Sequence, residues 1–162
     1  MRIEKLQETF DVDVKMVHFP LHPDTPQDGI TLEALFAGRD HDIEASYNRM
    51  KGLMDAEDLE YGRRTHTYNS RLAQELGKWA DTQDGGDALH DAFYRAYFVD
   101  GRNIGDAETL IAITEEVGLS GEDARAVLEN RTFQQAVDED WSRSGAMGVT
   151  GVPTYVAAGH GV

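Results

Sequence analysis

The stretch that most constrains this chain lies near its end and reads Gly148-Val-Thr-Gly-Val-Pro-Thr-Tyr-Val156. Pro153 has no N–H to offer a sheet, so a strand accepts it at its first position or on an edge. The preceding Val152 is β-branched, and the proline pushes it toward extended backbone. Because the two glycines allow a sharp approach, the stretch predicts a turn that enters a strand over residues 154–158. The main chain of Val152 would then be exposed beside a candidate site.

Length, charge and cysteine content narrow the possible classes. The 162 residues suffice for one domain, or for a small domain with an insertion. The formal charge of −15 argues against nucleic acid or an anionic membrane as a partner. No stretch is typical of a membrane span or a signal peptide, so a cytoplasmic location is expected. The chain has no cysteine, which excludes a disulfide, a catalytic thiolate or a thiolate metal site within it; no catalytic residue, metal site or cofactor is predicted in this chain.

The organisation predicted from hydrophobic spacing is helix, strand, a long helical block and a final strand. Residues 2–10 have helical spacing, and residues 11–19 alternate as in a strand. Three of the four prolines follow within residues 20–29 and end the first part. Helices are then expected near residue 31, over 42–54, 69–80 and 87–98, after caps at Asp106 and Ser120, and over 132–146. The predicted division is therefore 1–29, a partial sheet domain; 30–146, a helical insertion; and 147–162, the return to the sheet domain.

Several runs, in order along the chain, resemble one family. The glycine–proline stretch is similar to the cis-proline loop of DsbA-family oxidoreductases of the thioredoxin superfamily. Residues 14–24 resemble the second strand and exit loop of the FrnE-like branch, and residues 69–73 its Asn-x-x-x-Ala helix start. Residues 97–106, followed by 116–119, resemble a run shared by that branch and the 2-hydroxychromene-2-carboxylate isomerases. Together these similarities cover essentially the whole chain.

The resemblance implies an α/β fold: a thioredoxin-like fold interrupted by a large α-helical insertion, in a mostly helical chain. It implies a cis Val152–Pro153 bond that faces a Cys-x-x-Cys pair. The family's first strand and that pair would precede Met1, and a further strand and helix would follow Val162. The sheet is thus expected to be incomplete here. The chain would then be a piece of a longer protein, a mis-started reading frame, or one copy of a strand-swapped homodimer.

The function implied by the resemblance is thiol–disulfide oxidation or isomerisation, with the thiolate supplied by residues outside this chain. The predicted substrate-binding residues are Thr150, Gly151, Val152, Pro153 and Thr154, with an extended peptide pairing to the Val152 main chain. The partners implied are protein thiols or disulfides, or glutathione. Two alternatives stay open: a glutathione-dependent isomerase of the 2-hydroxychromene-2-carboxylate type, and a redox-inactive peptide-binding module.

Two other groups of side chains are candidates for a metal site and a substrate cleft. His18 and His22 flank Pro20 and share no helix face, so they are predicted to be structural or solvent-facing rather than metal ligands. Four aromatic residues could wall a substrate cleft, but their spacing favours a buried helix face: Phe93, Tyr94, Tyr97 and Phe98.

Overall fold

About half of the chain is helical in the computed structural model, which describes the backbone of residues 2–157 and the side chains from residue 6 onward. The helices are α1 (Arg2–Thr9), α2 (Leu32–Leu35), α3 (Ile43–Asp55), α4 (Arg71–Ala80), α5 (Asp87–Phe98), α6 (Ala107–Glu116), α7 (Gly121–Asn130) and α8 (Gln134–Ala146). The strands β1 (Ile30–Thr31) and β2 (His66–Thr67) pair in antiparallel fashion, Ile30 with Thr67 and Thr31 with His66. Within residues 2–157, no helix has the length and apolar character needed to cross a bilayer.

Three of the predicted helix starts are confirmed by their caps. The side chains of Asp42, Asp106 and Ser120 each accept a hydrogen bond from the backbone N–H three residues on, at 2.8, 2.8 and 3.1 Å. These bonds satisfy donors that the first helical turn leaves unpaired. Helix α6 ends two residues before Gly118, which has a φ of +83° and lets the chain turn away.

The core lies in the helical block, where α4 packs against α5, α7 and α8. Its largest fully buried apolar side chains come from four helices: Leu76, Leu89, Leu110, Ile113 and Val137. Helices α4, α5 and α6 each bury several apolar residues, as their sequence periodicity indicated, whereas α8 buries Val137 together with Asp140 and Ser144. The block thus forms a packed body around α4.

The strand predicted over residues 11–19 is not formed, and this prediction was wrong. Residues 11–17 are all exposed and belong to no helix or strand. An alternating sequence becomes a strand only when another strand pairs with its main chain, and no described strand pairs with residues 11–19. Residues 154–156 likewise form no strand; Ala157 has an isolated bridge, and residue 158 lies outside the described part.

The observed two-stranded sheet was not predicted. Its strands have two residues each, too few to display an alternating pattern. It joins the entry of the helical block to the segment before α4, and the N–H of Leu32 also donates to the Thr65 carbonyl. The division of the chain at residues 29 and 146 stays a prediction.

Candidate functional site

The candidate loop begins where α8 ends. Met147 donates its N–H to the Arg143 carbonyl and Val149 to the Ser144 carbonyl, both at 3.0 Å. Gly148 lies between them with a φ of +69°, a left-handed conformation in which glycine carries no steric cost. The first glycine of the motif therefore closes the helix and sends the chain into residues 149–157.

The five predicted substrate-binding residues lie on one exposed turn. The Val152–Pro153 peptide bond is cis, and Val152 is 53% exposed. The Thr154 hydroxyl donates to the Gly151 carbonyl at 2.6 Å and holds the turn together. A Cβ at Gly151 would meet no atom within 4 Å, so nothing in the described structure requires glycine there. Thr150 is exposed at the start of the turn.

The loop offers main-chain groups rather than ionisable side chains. Among the described residues, neither the N–H nor the carbonyl of Val152 takes part in a hydrogen bond. An exposed main-chain donor and acceptor on one residue form the unit that pairs with an extended strand. The arrangement can therefore bind a peptide main chain, but it supplies neither a nucleophile nor a general base.

The helical block also holds the N-terminal segment next to this loop. The Asp140 carboxylate accepts from the His18 N–H at 3.0 Å, and the Ser144 hydroxyl donates to the His18 carbonyl at 3.2 Å. Both side chains belong to α8, whose end carries the candidate loop. One helix thus positions the loop and anchors the segment that precedes the block.

Two side chains at the start of α4 anchor the same segment further along. The Asn69 amide donates to the Thr25 carbonyl at 2.7 Å, and the Gln74 amide donates to the Phe19 carbonyl at 3.3 Å. Like the bonds from α8, these reach main-chain atoms of the segment. Asn69 falls at the family-like Asn-x-x-x-Ala run, which the sequence marked without indicating this role.

His18 lies in a half-buried polar cluster. Its ring centre is 6.4 Å from that of His90, which pairs with Asp81 at 2.8 Å, while Lys78 pairs with Asp140 at 3.0 Å. Burial lowers the pKa of His18 to about 4; Asp140 opposes the shift, and Lys78 and His90 add to it. The ring is therefore neutral at pH 7. In the described part of the chain, no three His, Cys, Asp or Glu side chains group closely enough to hold a metal ion.

The aromatic side chains of α5 separate into different environments. Phe93 is buried, as predicted, but Tyr94 is 57% exposed, so the buried-face prediction was wrong for that residue. Tyr97 and Phe98 are half-buried and pack edge to face, with ring centres 4.7 Å apart. A nearby open cleft of about 420 Å³ is lined by the end of α3, residues 58–62 and Val99, and by none of the four aromatic residues.

Comparison with known proteins identifies the family of the chain. A family model described as the DSBA-like thioredoxin domain matches residues 1–162. The crystal structure of a probable DsbA oxidoreductase from Streptomyces coelicolor matches with a TM-score of 0.84 at 30% identity, covering 94% of this chain and 70% of that one. The uncharacterized protein YwbO of Bacillus subtilis (strain 168) is 33% identical over 95 residues. That match covers 56% of this chain and 46% of YwbO, so it spans less than half of that relative.

Proposed function

This chain belongs to the family of DSBA-like thioredoxin domains, and we propose that it forms the substrate-binding part of a thiol–disulfide oxidoreductase. The family match and the structural neighbour confirm the predicted family and fold class. The structural neighbour is described as a probable DsbA oxidoreductase, which supports the proposed activity. The FrnE-like branch, protein or glutathione thiols as partners, and a cytoplasmic location belong to the same proposal, as motif similarity and composition suggest them.

The observation that carries the proposal is the unpaired main chain of Val152, a residue that is 53% exposed. Its N–H and carbonyl have no partner among the described residues, and the adjoining Pro153 has no N–H that would compete for a peptide. An extended peptide would add to the loop as a strand through these two groups. The side chains around it carry no charge, so recognition would depend on the peptide main chain rather than on a particular sequence.

The redox step needs a thiolate, which the 162 residues do not contain. In the proposed reaction, a cysteine thiolate from outside this sequence attacks one sulfur of a substrate disulfide. The old S–S bond breaks, a mixed disulfide forms, and the second substrate sulfur leaves as a thiolate. A second thiolate then resolves the mixed disulfide and completes a two-electron exchange. This chain contributes the peptide site that holds the substrate during both steps.

Peptide binding by the pure chain tests this role. A fluorescein-labelled, uncharged twelve-residue peptide with serine in place of cysteine would be titrated with protein, and its anisotropy measured. Pro153→Ala loosens the restriction on Val152, so we expect Kd to rise about fivefold, which corresponds to a loss of about 1 kcal/mol.

The matched control is Leu53→Ala, which removes an exposed apolar side chain from α3 and should leave Kd unchanged. Equal weakening in both variants would mean non-specific adhesion and would reject the proposal, as would the lack of saturable binding to the unmodified chain. An unchanged Kd in Pro153→Ala would also reject the loop as the peptide site.

A further inference from the structure

Arg64, just before β2, is a half-buried cation without a carboxylate partner among residues 6–157. Its guanidinium carbon lies 4.7 Å from the centre of the Tyr97 ring and 5.1 Å from that of Phe98. Its Nη1 donates to the Tyr97 hydroxyl, which also lies 3.2 Å from the Thr67 hydroxyl. These contacts from α5 and β2 hold the guanidinium plane in one orientation.

One edge of this guanidinium has no acceptor among residues 6–157. Nε of Arg64 is buried and makes no hydrogen bond, and Nη2 makes none with any described residue. Arg131 presents the same edge to the carboxylate of Glu75, with Nε and Nη2 at 2.7 and 2.6 Å from its two oxygens. The chain therefore contains both an occupied and an unpaired example of one carboxylate-binding geometry.

The neighbouring Arg63 does pair with a carboxylate, so local charge alone does not explain why Arg64 lacks such a partner. Arg63 gives both Nη atoms to Glu44 at 2.7 Å and stacks on Tyr47, whereas Arg64 turns inward to α5. The chain has 30 acidic and 15 basic residues, yet Arg64 forms no ion pair with a described carboxylate. The formal charge of −15 also repels anions in general, so an anion would bind only where a specific donor pair faces it.

We propose that the Nε–Nη2 edge of Arg64 binds a single carboxylate group of a ligand. A carboxylate is planar and has two acceptor oxygens at the spacing of this donor pair. One oxygen would accept from Nη2, and the other would satisfy Nε after a small shift of the side chain. The carboxylate would come from a small organic acid or from a peptide. This site goes beyond the peptide-binding loop, and it uses none of the loop's residues.

The Nε–H signal of Arg64 in a ¹⁵N-labelled sample reports directly on this edge. Acetate would be titrated against sodium chloride at equal ionic strength, followed by acetyl-Ala-Phe as the free acid and as its amide. We expect a saturable downfield shift with acetate and with the peptide acid, and none with chloride or the amide. Tighter binding of the peptide acid would identify a peptide as the source, and equal binding would identify a small acid. No shift with either carboxylate would overturn the site.

Variants distinguish binding at the Nε–Nη2 edge of Arg64 from a general effect of positive charge. Arg64→Gln should raise Kd for the peptide acid at least tenfold, followed through the backbone amides of Thr67 and Tyr97. Arg63→Gln is the matched control, since it removes an adjacent positive charge that Glu44 already neutralises, and it should bind as the unmodified chain does. Equal losses in the two variants would overturn the proposal. Should Arg64→Gln not fold, Arg64→Lys keeps the charge but lacks the donor pair, and undiminished binding by it would overturn the proposal as well.

Discussion

The hydroxyl of Ser144 donates to the main-chain carbonyl of His18 at 3.2 Å, across 126 positions of sequence. The same hydroxyl lies 2.9 Å from the Asp140 carbonyl, so its one hydrogen is shared between two acceptors. The main-chain carbonyl of Ser144 accepts from Val149 at the start of the candidate loop. A single residue of α8 therefore links the N-terminal segment to that loop.

Replacement of Ser144 by alanine should loosen the end of this link at His18, because alanine keeps the main-chain carbonyl that accepts from Val149. The substitution leaves the His18 carbonyl without its donor, and we expect the free energy of unfolding to fall by about 1–2 kcal/mol. Amide exchange should also accelerate at residues 18 and 19. Urea unfolding and hydrogen exchange would measure the two effects. Ser142→Ala, on the exposed side of the same helix, is the control and should change neither; unaltered exchange in Ser144→Ala would contradict the prediction.

His18 should make stability depend on pH. Its pKa is about 4 in the folded chain and 6.5 in the unfolded one, because burial disfavours the charged ring. The unfolded state therefore binds the proton first as the pH falls. The contribution of the neutral ring is complete above pH 6.5 and is lost between pH 6.5 and 4, by about 2–3 kcal/mol.

Urea unfolding at pH 7.5 and pH 4.5 would measure this loss in the unmodified chain and in His18→Gln. The other groups that face the ring, namely Lys78, Asp81, His90 and Asp140, are common to both proteins, so the difference isolates His18. His22→Gln, which changes an exposed histidine, should retain the full pH dependence. If His18→Gln loses as much stability on acidification as the unmodified chain, the ring is not the titrating group.

Glu75 should be among the most sensitive positions for stability. Its side chain is fully buried in α4, and its oxygens accept from Arg71 and Arg131 at 2.6–2.7 Å. Burial raises the pKa of Glu75, but the hydrogen bonds from Arg131 and Arg71 outweigh it, so the pKa lies below its ordinary value. Glu75→Gln would leave two guanidinium groups facing a neutral amide, and we expect a loss of about 3–5 kcal/mol.

Thermal unfolding would test the Glu75 prediction. Glu108→Gln breaks an exposed pair with Arg125 and serves as the control, with little expected change in Tm. A similar small change for Glu75→Gln would show that the buried pair is dispensable.

The 162-residue chain should not reduce the disulfides of insulin. Reduction requires a thiolate, and this sequence offers none. Insulin turbidity in the presence of dithiothreitol would be followed with and without the protein. Acceleration of precipitation by the pure chain would require another chemistry and would undermine the division of roles proposed above.

Helix caps and helical stripes could be read from the sequence because they depend on residues within one or two turns. Asp106 and Ser120 illustrate this, as each caps its own helix through a bond to the third residue on. The strand at residues 11–19 could not be judged in this way, since a strand forms only when a distant segment pairs with it.

For the candidate sites, too, the sequence could predict only what depends on neighbouring residues. The glycine–proline motif marked the exposed loop because its constraints are local to residues 148–154. No sequence motif indicated Arg64. Its orientation depends on the rings of two residues that lie 33 and 34 positions away in α5, and no spacing rule predicts such a contact. Asn69 was marked by the family-like run, but its bond to Thr25 emerged only in three dimensions.

The anchoring of residues 18–25 has a consequence for how this segment tolerates substitution. Asn69, Gln74, Asp140 and Ser144 all bind its main chain, so the side chains of its exposed residues 21–24 can change and leave the bonds intact. The four polar residues of the helical block supply the side chains of these bonds, so substitution is constrained at those four positions. A deep mutational scan would therefore find that this segment tolerates substitution, whereas its partners far along the sequence do not. The sequence of the segment could then vary between relatives while its backbone conformation is retained.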